Sequence, residues 1–213
     1  MRVKICGLTN AAAVAHAARE GAAYFGFVFY RPSPRSVDFA TARELAAAAP
    51  MDRTKVALLV DADDAFLDEL LENVPIDMLQ LHGDETPKRT REVRARTGLP
   101  VMKAVGIRDA GDVPRIAEFE AVADQVLIDA KPPRDGPGSL PGGNALSFDW
   151  RLIAGRRWAR PWMLAGGLTA DNVTDAVALT GATQVDVSSG VESAPGEKDL
   201  EKITAFIRAA RAA

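Results

Sequence analysis

The chain has 213 residues, enough for one good-sized domain, and 47% of them are apolar and 26% charged. These proportions match an ordinary globular protein and exclude a disordered chain. A net charge of −3 gives nucleic acid and anionic membranes no electrostatic advantage as partners. One cysteine excludes an intrachain disulfide or a thiolate cluster, and two histidines argue against a multi-histidine metal centre. The sequence contains neither a signal-peptide pattern nor a run of about 20 apolar residues, so we expect a cytoplasmic protein.

Short apolar runs alternate along the chain with Ala-, Glu- and Arg-rich stretches of helical spacing. The runs predict strands at Val3–Cys6, Tyr24–Phe29, Lys55–Val60, Asp77–Leu81, Val101–Val105, Gln125–Ile128, Trp162–Ala165 and Gln184–Val187. The stretches between and after them predict helices near residues 10–20, 38–48, 64–73, 86–97, 109–120, 149–155, 170–179 and 199–211. Strands that alternate with helices favour βαβ units and a parallel sheet.

Eight such units predict an α/β fold, a single-domain (β/α)8 TIM barrel that spans residues 1–213 and is slightly shorter than the typical length of about 250 residues. The alternative is an open, doubly wound sheet, which usually has a glycine-rich turn after its first strand. The sequence there is Cys6-Gly7-Leu8-Thr9, which does not fit G-x-G-x-x-G. The barrel is therefore favoured.

One segment, Ala130 to Phe148, contains four glycines and four prolines and has neither helical nor strand periodicity. Loops of this length in a compact domain are usually functional or disordered. Because the segment follows a predicted strand, it would lie on the active-site face of a barrel. It is a candidate lid, and a flexible insertion is the alternative.

Glycine- and serine-rich turns follow the last two predicted strands. Gly166 and Gly167 follow the seventh strand, and Ser188, Ser189 and Gly190 follow the eighth. Backbone N–H groups of such turns, together with a short helix N-terminus, form the phosphate site of many barrels. Glycine allows the close approach and the positive φ angles that direct these donors. The two turns predict a phosphate-binding site at the C-terminal face.

Cys6 and Asp129 end two other predicted strands and are candidate proton-transfer groups. Strand alternation places Cys6 on the same face as Lys4, whose ammonium would lower the thiol pKa from about 8.5. A thiolate there could attack a substrate or remove a proton, and a buried core cysteine is the alternative. Asp129, shielded by a lid, would have a raised pKa and act as a general acid. Its alternatives are a cap or an ion pair with Lys131 or Arg134.

Two further side chains are candidates for contact with substrate. Arg35 lies in the proline-stiffened loop Arg31-Pro32-Ser33-Pro34-Arg35 and could bind a carboxylate with both arms of its guanidinium, or be a solvated surface charge. His82 lies two residues after Gln80 in Gln80-Leu81-His82-Gly83, so the two side chains would point to the same face of the strand. His82 is either a substrate-facing donor or a structural histidine.

In this arrangement the chain resembles the phosphoribosylanthranilate isomerase family over essentially its whole length. The motifs that carry the resemblance, in order, are Lys4-Ile5-Cys6-Gly7-Leu8-Thr9, Gly26-Phe27-Val28-Phe29, Ser33-Pro34-Arg35, Gln80-Leu81-His82-Gly83, Leu127-Ile128-Asp129, Phe148-Asp149-Trp150, Leu164-Ala165-Gly166-Gly167-Leu168, Asp186-Val187-Ser188-Ser189-Gly190-Val191-Glu192 and Pro195-Gly196-Glu197-Lys198-Asp199.

The resemblance implies an enzyme of tryptophan biosynthesis with no metal or organic cofactor. It would convert N-(5-phosphoribosyl)anthranilate to 1-(2-carboxyphenylamino)-1-deoxyribulose 5-phosphate, an Amadori rearrangement. By this resemblance Cys6 matches the general base and Asp129 the general acid. Arg35 matches the position associated with the anthranilate moiety, and Asp186 resembles a further substrate-positioning carboxylate. The expected partner is the small-molecule substrate alone, with the chain a monomer or a homodimer.

The sequence departs from the family pattern at Ala145, where a second glycine is common. Ala145 would be strained if that position requires a positive φ, which affects the loop and not the acid or the base.

Three rival functions have specific requirements. An indole-3-glycerol-phosphate synthase would be expected to use a lysine and a glutamate as its catalytic pair. A ribulose-phosphate epimerase needs paired aspartates with metal-ligating histidines, and histidine is scarce here. A non-catalytic sensor of a phosphorylated metabolite would keep the glycine turns but could lose the acid or the base. Because both Cys6 and Asp129 are present, the isomerase is favoured.

Overall fold

The structure is a computed structural model that describes residues 1–131 and 147–213. Eight parallel strands form a closed barrel in chain order, and helices lie between them, which confirms the predicted (β/α)8 architecture. The barrel closes where the last strand pairs with the first, with Lys4 opposite Asp186. That the whole chain, residues 1–213, is one domain stays a prediction.

The strands lie within two residues of their predicted bounds. They are β1 Arg2–Cys6, β2 Tyr24–Phe29, β3 Thr54–Leu59, β4 Met78–Leu81, β5 Val101–Ile107, β6 Gln125–Ala130, β7 Trp162–Leu164 and β8 Gln184–Val187. The helices are α1 Ala11–Glu20, α2 Phe39–Ala48, α3 Asp64–Asn73, α4 Pro87–Thr97, α5 Arg115–Glu120, α6 Val173–Thr180 and α7 Leu200–Ala212. A short antiparallel hairpin, β9 Glu192–Ala194 with β10 Glu197–Lys198, was not predicted.

Two predicted helices are wrong over half or more of their length. The helix expected over 109–120 begins only at Arg115, because Asp109 forms a turn with the N–H of Gly111 and Pro114 occupies the cap. The helix expected over 149–155 is a single 3-10 turn, Trp150–Leu152, and Gly155 follows it with φ +68°. Among the described residues, no helix is both long and apolar enough to cross a membrane.

Alternate strand residues fill the barrel, and the others pack against the helices. A cluster of inward-facing side chains forms the lower core, namely Tyr24, Val56, Met102, Ala104, Leu127, Met163 and Ala165. Near the carboxyl ends of the strands, a small apolar cluster of Cys6, Val28 and Leu58 lies at the same end of the barrel as ionisable side chains such as Asp129. The candidate site lies at this end.

A buried ion pair outside the barrel fixes the loop between β4 and α4. Lys103 lies between two inward-facing residues of β5, so its side chain points toward the helix layer. Its Nζ lies 2.9 Å from Oε2 of Glu85 and 2.8 Å from the carbonyl oxygen of Gly83, with both charged side chains at most 3% exposed. Because this loop begins with His82, the pair also fixes one side of the barrel mouth.

We expect Lys103→Met to destabilise the protein by about 3–5 kcal/mol, because it leaves the carboxylate of Glu85 buried without its cation. Urea unfolding measures the loss. The control is Lys88→Met, whose pair with Glu92 on α4 is solvent-exposed and should contribute little. Equal stabilities of the two variants would contradict a structural role for the buried pair.

Candidate active site

Cys6 ends β1 at the barrel mouth and is only 3% exposed. It faces Gly26 of β2, where a Cβ atom would lie 3.0 Å from Sγ of Cys6 and 3.2 Å from Nζ of Lys4. A side chain at position 26 would therefore displace one of these groups. Because Gly26 has no side chain, the ammonium of Lys4 and the thiol of Cys6 have room to lie together.

Lys4 lies one inward position below Cys6 and is fully buried. Its Nζ donates to Oδ1 of Asp186 at 2.9 Å, which joins the first and last strands inside the barrel. Burial acts to lower the pKa of Lys4, but the charges of Asp186 and Cys6 outweigh it and raise that pKa to about 12. The ammonium therefore stays charged at neutral pH.

The expected lowering of the Cys6 pKa is wrong for this structure. Burial raises the pKa of the Cys6 thiol, and the attraction of Lys4 offsets only part of that effect. The neighbouring carboxylate of Asp186 also raises it, because Asp186 partly neutralises the ammonium. The sequence showed Lys4 beside Cys6 but did not reveal that the cation has its own counter-ion.

Asp129 lies in β6 and is held by two hydrogen bonds. Its Oδ1 accepts from the N–H of Ala130 at 2.8 Å, and its Oδ2 accepts from Nε2 of His82 at 3.1 Å. The side-chain amide nitrogen of Gln80 lies 2.8 Å from Nδ1 of His82; with the amide as donor, the ring proton is on Nε2 and faces Asp129. His82 thus orients the carboxylate of Asp129.

The alternative of an ion pair between Asp129 and Lys131 is wrong, because Lys131 binds Asp112 at 3.0 Å instead. The other suggested partner, Arg134, lies outside the described residues. The candidate lid Ala130–Phe148 lies outside them for the most part, and Ala145 does so entirely.

Arg35 is 7% exposed, so the alternative of a solvated surface charge is wrong. Its guanidinium donates two hydrogen bonds to the carboxylate of Glu192, from Nε to Oε1 and from Nη2 to Oε2, each 2.8 Å long. The same carboxylate accepts from Nζ of Lys198 at 2.6 Å. Two basic side chains therefore bind the same carboxylate.

The two glycine-rich turns lie against each other. Gly166 and Gly167 have φ of +85° and +64°, and a Cβ atom on Gly190 would overlap the carbonyl oxygen of Leu168. A Cβ on Gly166 would lie 2.7 Å from the backbone nitrogen of Ala130, so this turn also packs against the strand that carries Asp129. The second turn continues into the 3-10 helix Ser189–Val191, preceded by Ser188.

Sequence reasoning missed three contributors to the mouth, namely the partnership of Asp186 with Lys4 and the roles of Glu192 and Lys198. The first was detectable in principle, since closure of an eight-stranded barrel must pair β1 with β8. Glu192 and Lys198 belong to quoted motifs, but the hairpin that brings them together has no strong strand pattern over its two- and three-residue strands.

Asp129 and Cys6 lie at the carboxyl ends of β6 and β1, beside paired glycine-rich turns, which is where (β/α)8-barrel enzymes carry their functional groups. The family model for N-(5'-phosphoribosyl)anthranilate (PRA) isomerase matches residues 3–209. The chain belongs to this family and is an isomerase of tryptophan biosynthesis. The family match excludes the rival functions of indole-3-glycerol-phosphate synthase and ribulose-phosphate epimerase.

Similar proteins cover the whole chain. The N-(5'-phosphoribosyl)anthranilate isomerase of Cereibacter sphaeroides is 63% identical over 211 residues, which is 99% of each chain. The crystal structure of phosphoribosyl anthranilate isomerase from Thermotoga maritima has a TM-score of 0.88 at 34% identity and covers 100% of both chains. A phosphoribosyl anthranilate isomerase in complex with reduced 1-(o-carboxyphenylamino)-1-deoxyribulose 5-phosphate has a TM-score of 0.86 at 32% identity, again with both chains fully covered.

We expect the Cys6 thiol to titrate above the ordinary thiol pKa of about 8.5. Lys4→Met should raise its pKa further because it removes the nearby cation, whereas Asp186→Asn should lower it because it removes the nearby anion. Thiolate absorbance in the ultraviolet measures the midpoint, with Cys6→Ala as the blank for the two tyrosines. Shifts of the same sign in both variants would contradict this electrostatic arrangement.

Proposed function

We propose that this chain catalyses the Amadori rearrangement of N-(5-phosphoribosyl)anthranilate by general acid–base catalysis, with Asp129 as the acid and Cys6 as the base. The observation that carries this proposal is the placement of the two groups on β6 and β1 of one barrel mouth, each with its own supporting network. An Amadori rearrangement needs a proton donor and a proton acceptor on a single sugar, and this arrangement supplies both.

In the first step, Asp129 donates its proton to the ring oxygen of the ribose. The bond from that oxygen to C1′ breaks, and the lone pair of the anthranilate nitrogen forms a Schiff base with C1′. The hydrogen bond from His82 holds the carboxyl group in one orientation for this transfer.

In the second step, the thiolate of Cys6 removes the proton from C2′, and the electron pair moves toward the cationic imine to give an enolamine. Protonation at C1′ and loss of the hydroxyl proton at C2′ then yield the ketose. Lys4 stabilises the thiolate, and we propose that Asp186 acts through Lys4 rather than by contact with the sugar. The alternative role for the same thiolate is attack as a covalent nucleophile.

The charge distribution suits a substrate with a carboxylate and a phosphate. The planar guanidinium of Arg35, which Glu192 holds at the barrel mouth, would bind the anthranilate carboxylate. The adjacent turns at Gly166–Gly167 and 188–190 would hold the phosphate through backbone N–H groups. The sugar would then lie between the two anchors, across the barrel mouth.

Several expectations stay predictions within this proposal. They are cofactor independence, a cytoplasmic location, a monomer or homodimer as the active form, and small-molecule substrate as the only partner. Within the described parts of the chain, no three His, Cys, Asp or Glu side chains lie together as metal ligands would. A non-catalytic sensor is disfavoured because both proton-transfer groups are present.

We expect Cys6→Ala and Asp129→Asn each to lower kcat by about 10²–10⁴-fold, the usual cost of losing a positioned acid or base. The assay follows the loss of fluorescence of freshly generated N-(5-phosphoribosyl)anthranilate with EDTA present, which also tests metal independence. Asp52→Asn is the control, since Asp52 is exposed in the loop before β3, at the opposite end of the barrel. A folded variant of Cys6 or Asp129 with near-normal turnover would remove that residue from the mechanism.

A further inference from the structure

The unpredicted hairpin β9–β10 lies at the barrel mouth, directly after the second glycine-rich turn. Its tip contacts the loops that follow β1 and β2. The carbonyl oxygen of Gly196 accepts from Oγ1 of Thr9 at 3.1 Å, and a Cβ atom on Gly196 would lie only 2.5 Å from the carbonyl oxygen of Pro34. The hairpin therefore packs against the residue that precedes Arg35.

Arg35 is fixed along its whole length. Its aliphatic part crosses Gly7, where a Cβ atom would lie 2.6 Å from Cδ of Arg35. Its guanidinium then meets Glu192, the first residue of β9, whose side chain is 5% exposed. A bidentate pair holds the guanidinium in the plane of the carboxylate, so Glu192 sets the direction in which the rest of the guanidinium points.

Glu192 is held in turn by the hairpin and by α7. Burial acts to raise the pKa of Glu192, but the hydrogen bond with Arg35 and the charge of Lys198 outweigh it and hold that pKa below its ordinary value. The carbonyl oxygen of Glu192 also accepts from Nζ of Lys202 at 2.7 Å. The carboxylate is therefore charged and rigidly placed at neutral pH.

Lys198 extends the same network to the proposed phosphate turn. Its Nζ donates to the carbonyl oxygen of Ser188 at 3.0 Å while it binds Glu192. One buried carboxylate thus connects the side chain proposed to hold the anthranilate with the turn proposed to hold the phosphate.

We infer that Glu192 is a positioning residue for substrate recognition, which orients Arg35 toward the anthranilate carboxylate and fixes it relative to the Ser188 turn. The inference rests on the proposed role of Arg35. A guanidinium has more than one edge of N–H donors, and a carboxylate held on the Nε–Nη2 edge determines where the Nη1–Nη2 edge lies.

Two ligands that differ in one group test this inference. The first is reduced 1-(o-carboxyphenylamino)-1-deoxyribulose 5-phosphate, and the second is the same compound without its carboxyl group. Glu192→Gln should weaken binding of the carboxylate ligand roughly 10- to 100-fold, which corresponds to loss of a charged hydrogen-bonding arrangement. Binding of the second ligand should stay within about twofold, because its phosphate and sugar do not depend on Arg35 and Lys198 keeps its bond to the carbonyl oxygen of Ser188. Calorimetric titration gives both dissociation constants.

The matched control is Glu197→Gln, a change of the same chemistry on the same hairpin at an exposed side chain. It should leave the affinities for both ligands unchanged. Glu192→Asp is a second variant, which keeps the charge balance of the cluster but shortens the reach to Arg35. It should lose affinity for the carboxylate ligand alone, by a smaller factor.

The same titrations with the Arg35→Lys variant distinguish the role of Glu192 from the proposed role of Arg35. Arg35→Lys should itself weaken only the carboxylate ligand, and Glu192→Gln should add no further loss in that background. The positioning role would be overturned if Glu192→Gln weakened the binding of both ligands equally. It would also be overturned if Glu192→Gln caused the same loss of affinity in the wild-type and Arg35→Lys chains. If Arg35→Lys leaves both affinities unchanged, the proposed role of Arg35 fails and the inference falls with it.

Discussion

The ion pair between Lys4 and Asp186 is the interaction on which the site depends most. It lies inside the barrel and joins β1 to β8, the two strands whose pairing closes the sheet. A buried ammonium without a counter-ion would be costly, and so would the carboxylate alone. Because the two groups are paired, the ammonium of Lys4 can stay charged directly beneath Cys6. A purely apolar core at this position would not stabilise the thiolate. Closure of the fold and ionisation of the proposed base are therefore coupled through one contact.

The other groups at the mouth show the same principle, in which each functional side chain is oriented by a partner from a different element. Asp129 on β6 is held by His82 from the end of β4, and Arg35 from the loop after β2 is held by Glu192 of the hairpin. Partners on separate strands and loops make the geometry a property of the whole barrel. Side chains that are already fixed by such partners need little reorganisation when charge develops during a reaction.

The sequence predicted the barrel well because its signals are local. Strands such as Tyr24–Phe29 are buried on both faces and therefore appear in the sequence as continuous apolar runs. Cys6 and Asp129 were candidates because they end predicted strands, and Arg35 because it lies in a proline-stiffened loop. What escaped prediction was pairing across the fold, such as Glu192 with Arg35, 157 positions apart. Such contacts depend on hairpin and loop geometry that composition does not specify.

The sign of the Cys6 pKa shift shows how a missed partner changes the chemistry. With Lys4 alone, a charged neighbour would favour thiolate strongly, but a thiolate stabilised in that way would be a weak base. Asp186 and burial together move the pKa upward, which makes ionisation rarer and each thiolate a stronger proton acceptor. A higher pKa favours the basicity of the thiolate over its occupancy, and Lys4 limits the loss of occupancy because its charge attracts the thiolate. In the proposed mechanism the Lys4–Asp186 pair therefore influences how often Cys6 is ionised.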